Sequence, residues 1–286
     1  KKNPVAFGGD YIRYQGKKIM LNERTFFVDG RLTKEITDKY PYAFSSFQEA
    51  VRQLKDGTPD APMTIYLAPY VYWIDNPDDE AVRVPAGGGI PYGMEVKCNG
   101  LRLVGLTNKP QQVVLASNRG QTQGAVGNFT MFQFIGNDWS VENLAMGDCC
   151  NLDLVYPLMP KLNRTRRADA IVQAQLAICE GDRIMARRVH FVSRLNSCPL
   201  VGGKRVLFDD CYFECTDDAL CGTGVYVNCK LKLFSSKPFY ATQGTGAVFL
   251  NCDFEVITRE RQYLTKVGSA VTMVDCRLHT VQSPLY

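Results

Sequence analysis

The stretch from Ile171 to Cys276 repeats itself, and the repeat limits what the chain can become. Four segments place an apolar residue, one further residue and an Asn or Asp directly before a Cys: Leu207-Phe208-Asp209-Asp210-Cys211, Tyr226-Val227-Asn228-Cys229, Phe249-Leu250-Asn251-Cys252 and Met273-Val274-Asp275-Cys276. Their cysteines are 18, 23 and 24 residues apart, and Arg188-Val189-His190-Phe191 begins 23 residues before Cys211. A period near 23 is too short for helical repeats, and no helical spacing occurs inside it. Each unit holds β-branched and aromatic runs broken by Gly, Asn or Asp, the pattern of short strands. The expected fold is all-β: a right-handed parallel β-helix, one coil per repeat, with the cysteines stacked inward.

The rest of the chain fits around that stack. Its 286 residues are 45% hydrophobic, enough for a sizeable core. Eleven cysteines with only two histidines, no CxxC pair and mostly strand-like settings read as free buried thiols, with no metal and no cofactor expected. No apolar run reaches the roughly 18 residues of a membrane span. The net charge of +4 is small and argues neither for nor against nucleic acid; no nucleic-acid partner is expected, and Arg164, Arg166, Arg167, Arg187 and Arg188 form a basic cluster suited to a solvated face or an acidic polymer. Ser45-Ser46 followed by Phe47, Ala50, Val51 and Leu54 on one face predicts a helix over 43–56. A helix there would cover the open end of the stack. One domain over 1–286 is expected, with 1–42 an N-terminal cap region and 64–286 the coils. The 75–91 and 148–167 stretches read as long excursions from it, and such loops on a solenoid often build the binding face.

Stacking the repeats gives columns. Gln173, Asn196, Asp218, Tyr240 and Leu264 are 23, 22, 22 and 24 residues apart, so they should stand above one another on one sheet face. Two residues along, on the same face, come Gln175, Cys198, Leu220, Thr242 and Lys266. Amide, carboxylate and aromatic groups repeated at a coil spacing of about 4.8 Å suit a sugar polymer. Arg194 and Gln243 flank the columns and join Gln175, Tyr240, Thr242 and Lys266 as candidate substrate-binding residues. Asp217-Asp218 is either a turn carboxylate beside a groove carboxylate or a pair in which one member holds a raised pKa as the acid. A pair would also suit glycoside hydrolysis.

The order of segments resembles the pectin methylesterase family. Pro69-Tyr70-Val71-Tyr72 matches its Pro-Gly-Val-Tyr-like turn, Leu103-Val104-Gly105 its apolar strand ending in Gly, and Gln173-Ala174-Gln175-Leu176-Ala177 with Gly181-Asp182 its Gln-Ala-Val-Ala-Leu and Gly-Asp motifs. The coil from Asp210 to Gly222 looks like the family's Asp-Cys-Tyr coil. The resemblance covers roughly 43–280. It implies a pectinesterase-like carbohydrate esterase, a hydrolase in polysaccharide degradation, in which Asp218 is the nucleophile or base, Gln173 and Asn196 stabilise the oxyanion, Asp217 is a further catalytic candidate, and Lys266 grips a uronate. It also implies a uronate-containing polysaccharide or oligosaccharide partner, a monomer, and a secreted, periplasmic or cell-surface bacterial location. The chain departs from the family at Asn196, where the acid Asp is expected, and at Lys266, where an Arg is expected. A β-helix glycosidase using the Asp pair and a non-catalytic glycan-binding module therefore stand as alternatives.

Overall fold

The computed structural model describes residues 3–84, 88, 92–121, 123–169, 173–194, 196, 199–216, 223–235, 237–239, 242, 244–258, 263, 265, 267 and 270–280. Within them the chain winds as parallel coils around one large apolar core. Three sheets form the walls. The first stacks Met63–Leu67, Leu101–Gly105, the first halves of Trp139–Asp148 and Ile184–Ser193, then Val206–Asp209, Gly224–Val227, Ala247–Leu250 and Val271–Val274. The second stacks Tyr70–Trp73, Val113–Ser117, the second halves of the same two long strands, then Tyr212–Cys215, Lys230–Leu233, Asp253–Val256 and Arg277–Thr280. The third stacks Tyr92–Lys97, Phe129–Ile135 and Ala174–Glu180, and the bridges Ile178–Val201 and Phe239–Thr265 continue it.

The Asn or Asp of the repeat makes the corner between the first and second sheets. Asp210, Asn228, Asn251 and Asp275 have φ of 53, 55, 52 and 53°, and Asn143 and Arg188 occupy the same corner at 56 and 48°. This left-handed conformation is costly for most L-residues, and Asn and Asp tolerate it best because their short side chains bond locally. The turn then swings the next side chain inward. Cys211, Cys229 and Cys252 are buried, and Cys276 in the last described coil is half-buried. Each thiol lies 3.4–3.5 Å from a carbonyl of the preceding coil: Ala186, Phe208, Tyr226 and Phe249 in turn. All nine cysteines among the described residues are free.

Aromatic rings add a second internal stack. Phe208, Tyr226 and Phe249 lie face to face at 4.5 and 4.3 Å on successive coils, each pair worth roughly 0.5–1.5 kcal/mol beyond area burial. Outside, on the second sheet, charge alternates by coil. Glu214 faces Lys232, which faces Glu255 and then His279, while Lys230 faces Asp253 and then Arg277. Opposite charges directly across favour this register over a slip.

Within the span expected to be helical, the helix covers Phe47–Arg52, and Ala43–Phe44 is instead a strand paired to Thr25–Val28. The chain leaves the helix at Gln53 rather than continuing to 56. Ser46 Oγ accepts from Glu49 N at 3.2 Å, and Phe47 and Ala50 are fully buried, with Phe47 edge-on to Phe132 at 6.0 Å. Inside 1–42, Val5–Phe7, Tyr11–Tyr14 and Lys17–Met20 form an antiparallel sheet. Its Ile12 packs with Phe27, Ala68 and Leu106 in a separate small core.

The corner makes a direct prediction. Asn228→Ala should cost about 1–2 kcal/mol, the penalty of a left-handed conformation for an ordinary residue, and Asn228→Gly clearly less. Urea midpoints of the two variants against the parent check this; equal losses would mean that side-chain bonding, not backbone conformation, sets the requirement.

Candidate functional site

The strand Ala174–Glu180 of the third sheet carries Gln175. At its entry Gln173 is exposed, Gln175 is half-buried, and Ala174 and Leu176 point into the core. The backbone is held from the side, since Gln121 N donates to the Gln173 carbonyl at 2.9 Å. Thr130, one coil earlier and opposite Gln175, donates its hydroxyl to Gln175 Oε1 at 3.4 Å. One coil later, Asn196 Nδ2 donates to Gln173 Oε1 at 3.2 Å. The 23-residue spacing of these two amides thus becomes a vertical contact. Asn196 is only 8% exposed, so the pair leaves the Gln173 NH2 as the group available to a ligand. That is a hydrogen-bond donor, suited to an oxyanion or a sugar oxygen.

Arg194 lies two residues before Asn196. Its guanidinium carbon sits 3.4 Å from the centre of the Phe234 ring, and its Nε is buried with no hydrogen-bond partner among the described residues. Its carbonyl accepts from Asn151 Nδ2 at 3.0 Å. A cation laid flat on an aromatic face is held in one place. Thr242 donates its hydroxyl to the Ala270 carbonyl at 3.0 Å. Asp217, Asp218, Tyr240, Gln243 and Lys266 lie outside the described residues. The Phe239–Thr265 bridge spans 26 positions, whereas the expected Tyr240–Leu264 step spans 24.

Two features of this region were not anticipated from sequence. The first is a buried polar row on the second sheet, where Asp148 stands between Ser117 and Ser193. Asp148 is fully buried. Its Oδ1 accepts from Cys150 N at 3.0 Å, while its Oδ2, the Ser117 hydroxyl and Asn151 Oδ1 find no partner among the described residues. Burial pushes its carboxyl well above the ordinary range, opposed more weakly by the Cys150 N–H and the Arg167 charge. Cys150 packs on Ala174, so the row underlies the Gln173 turn. An alternating strand pattern marks position 148 as inward but gives no sign that a carboxyl can stay there.

The second feature is Arg119, which is fully buried. Its Nε donates to Asp75 Oδ2 at 2.6 Å, and its other nitrogens donate to the carbonyls of Ala81, Gly124, Asn76 and Asp79 at 2.8–3.4 Å. Arg167 Nη2 donates to the carbonyls of Pro77 and Asp79, both at 2.9 Å, and Arg164 pairs with Asp78. Excursions far apart in sequence are thereby bound into one wall beside the third sheet. Among the described residues, no three His, Cys, Asp or Glu side chains converge as a metal would need, and no helix is long and apolar enough to cross a membrane.

A scan against protein-family models finds no match, and a sequence comparison with curated proteins finds none either. Solved structures do match. Pectin methylesterase from Aspergillus niger superposes with a TM-score of 0.59 at 13% identity, over 92% of this chain and 83% of that one. Pectin methylesterase PemA from Erwinia chrysanthemi gives 0.51 at 15% identity, over 89% and 92%. A pectin methylesterase in complex with a hexasaccharide gives 0.50 at 15%, over 90% and 93%. The fold is the right-handed parallel β-helix. At these identities the likeness reaches the architecture and not the chemistry.

The buried carboxyl has a pH signature. The unfolded Asp titrates near about 3.9, and burial raises the folded value above that. The stability that neutral Asp148 contributes is therefore complete below the unfolded pKa and is lost as pH rises through the folded one. Asp148→Asn keeps the shape and cannot ionise. The variant's melting temperature should gain on the parent's as pH is raised from about 4 to about 8. A difference that stays constant with pH would show that Asp148 does not titrate as a buried neutral acid.

Proposed function

We propose that the chain is a carbohydrate esterase acting on a pectin-like, uronate-bearing polysaccharide along the outer face of the third sheet. The observation that carries this reading is the Gln173–Asn196 bond between successive coils. It supports the column register, in which Asp218 follows 22 residues after Asn196. In this reading the Asp218 carboxylate acts on the ester carbonyl as nucleophile or base. The Gln173 NH2 takes the oxyanion that forms, and Lys266 and Arg194 hold neighbouring carboxylates. The departing methoxide needs a proton, and an amide at position 196 cannot give one. Asp217 is the carboxyl assigned to that step. The hexasaccharide complex of a structural neighbour supports a saccharide in the groove. A polymer of this kind is met outside the cell or in the periplasm, the location expected for the chain.

Asn196 also supports a second reading. Its Nδ2 is spent on Gln173 and the position is nearly closed to solvent, as suits a glycan-binding module without catalysis.

Incubation with methyl-esterified polygalacturonan separates the readings. The esterase should release methanol without new reducing ends. Asp218→Asn should cut that release by about a hundredfold or more, and Gln173→Ala by about 10²–10³-fold, as loss of an oxyanion donor does. Reducing ends without methanol would replace this reading with a glycosidase. Saturable binding with neither product would replace it with the module.

A further inference from the structure

Beside the third-sheet columns, a polar cavity of about 680 Å³ opens between the 75–84 excursion and the 149–169 excursion. We propose that this cavity is a saccharide subsite that holds a uronate unit. The proposal rests on the polysaccharide reading above and extends it to a site outside the columns.

Its volume falls in the range of small-ligand sites, about 300–1,000 Å³. Its lining is built for hydroxyls. Asn118 and Gln123 stand on one side, and Asn163 and Thr165 on the other. Asn118 Nδ2 is committed to the Pro77 carbonyl at 2.8 Å, so its oxygen is the half left for a ligand. Such amide and hydroxyl groups match the mixed donors and acceptors of a pyranose.

The carboxylate preference comes from Arg167. Its Nη2 is held by two backbone carbonyls, and no carboxylate forms an ion pair with it among the described residues. The other charges of the wall are matched. Asp75 and Asp79 take up Arg119, and Asp78 takes up Arg164. Arg166 pairs only with Asp169 in an exposed contact, which is cheap to exchange for a ligand. Glu80 also lines the cavity and is exposed. Gly124 lets the guanidinium reach its place. A Cβ there would meet Arg167 Nη1 at 2.7 Å and Arg119 Nη1 at 2.6 Å, and its φ is +81°. A planar donor fork held by main-chain contacts, with no carboxylate bonded to it among the described residues, is suited to a carboxylate.

Position links the cavity to the groove. Gln123 lies two residues from Gln121, whose N–H holds the Gln173 carbonyl. A chain lying along the columns could thus continue into the cavity. Buried Arg119 ties the 75–84 excursion to Gly124, and Arg167 and Arg164 tie it to the 149–169 excursion.

Calorimetric titration of the full chain with de-esterified oligogalacturonides, and with neutral galactose oligomers of equal length, tests this. The acidic series should bind and the neutral series at least tenfold more weakly. Arg167→Gln should weaken acidic binding tenfold or more. Gln123→Ala touches none of the side-chain ties between the loops and should weaken it several-fold. Unchanged binding in Gln123→Ala and in a folded Arg167→Gln protein overturns the proposal, as do equal affinities for the two series or no binding of either. The methanol assay fails independently. Methanol release with both cavity variants binding normally removes the subsite and leaves the esterase. Cavity-dependent binding without methanol keeps the subsite and removes the esterase.

Discussion

From Asn143 to Asp275, six successive coils turn the corner between the first and second sheets with one residue in the left-handed conformation. Parallel coils pass hydrogen bonds only to their immediate neighbours, so a corner that shifted by one residue would turn every later side chain to the wrong face. This explains why the repeat is written in so few letters. Asn or Asp meets the backbone demand, and Cys is small enough to stack inward directly after it. Where Arg188 takes the corner instead, its Nε donates to Asn143 Oδ1 at 2.7 Å on the coil before. A side-chain bond between coils then supports a conformation that the residue alone would disfavour.

The corner fixes the stack but not the loops that leave it. Those depend on a different constraint, the burial of a guanidinium. Arg119 loses its hydration entirely, and a buried charge is tolerable only when its donors are met. Five donors in a planar fork can meet several carbonyls and a carboxylate at once, which a lysine ammonium cannot. The 75–84 excursion is wrapped around that requirement. A mixed loop of Asp, Asn, Pro and Glu without internal strands becomes a wall of defined shape, and the polar cavity is its consequence. The coil repeat and the buried arginine thus divide the work: one sets the columns, the other sets what stands beside them.

The same division explains what could be read in advance. The parallel β-helix follows from the spacing of four Cys-terminated segments, because period and turn chemistry are local signals. The meeting of Gln173 and Asn196 follows from the same arithmetic, since one coil of chain separates them. The helix ends at Arg52 although Leu54 beyond it still packs on the core, so apolar periodicity does not report where the helix itself stops. Arg119, Asp75 and Asp148 carry no local signal at all. Arg119 meets Asp75 across 44 residues of chain that include three strands, and Asp148 occupies a strand position that alternation assigns to an apolar residue. A charged residue read alone looks solvent-facing; only the fold shows that it is enclosed.

The choice between an amide and a carboxylate at 196 decides which group Gln173 presents. As an amide, Asn196 donates to Gln173 Oε1 and so turns the Gln173 NH2 toward the groove. A carboxylate at 196 could only accept, and Gln173 would then give up its NH2 to that bond and present its carbonyl oxygen instead. One isosteric exchange, invisible to the coil geometry, reverses the polarity of the exposed group from acceptor to donor. Binding at this exposed amide favours ligand oxygens over ligand N–H groups. The coil geometry does not depend on whether an amide or a carboxylate stands at 196, because neither Gln173 nor Asn196 takes part in the left-handed corners or in the Phe208–Tyr226–Phe249 stack.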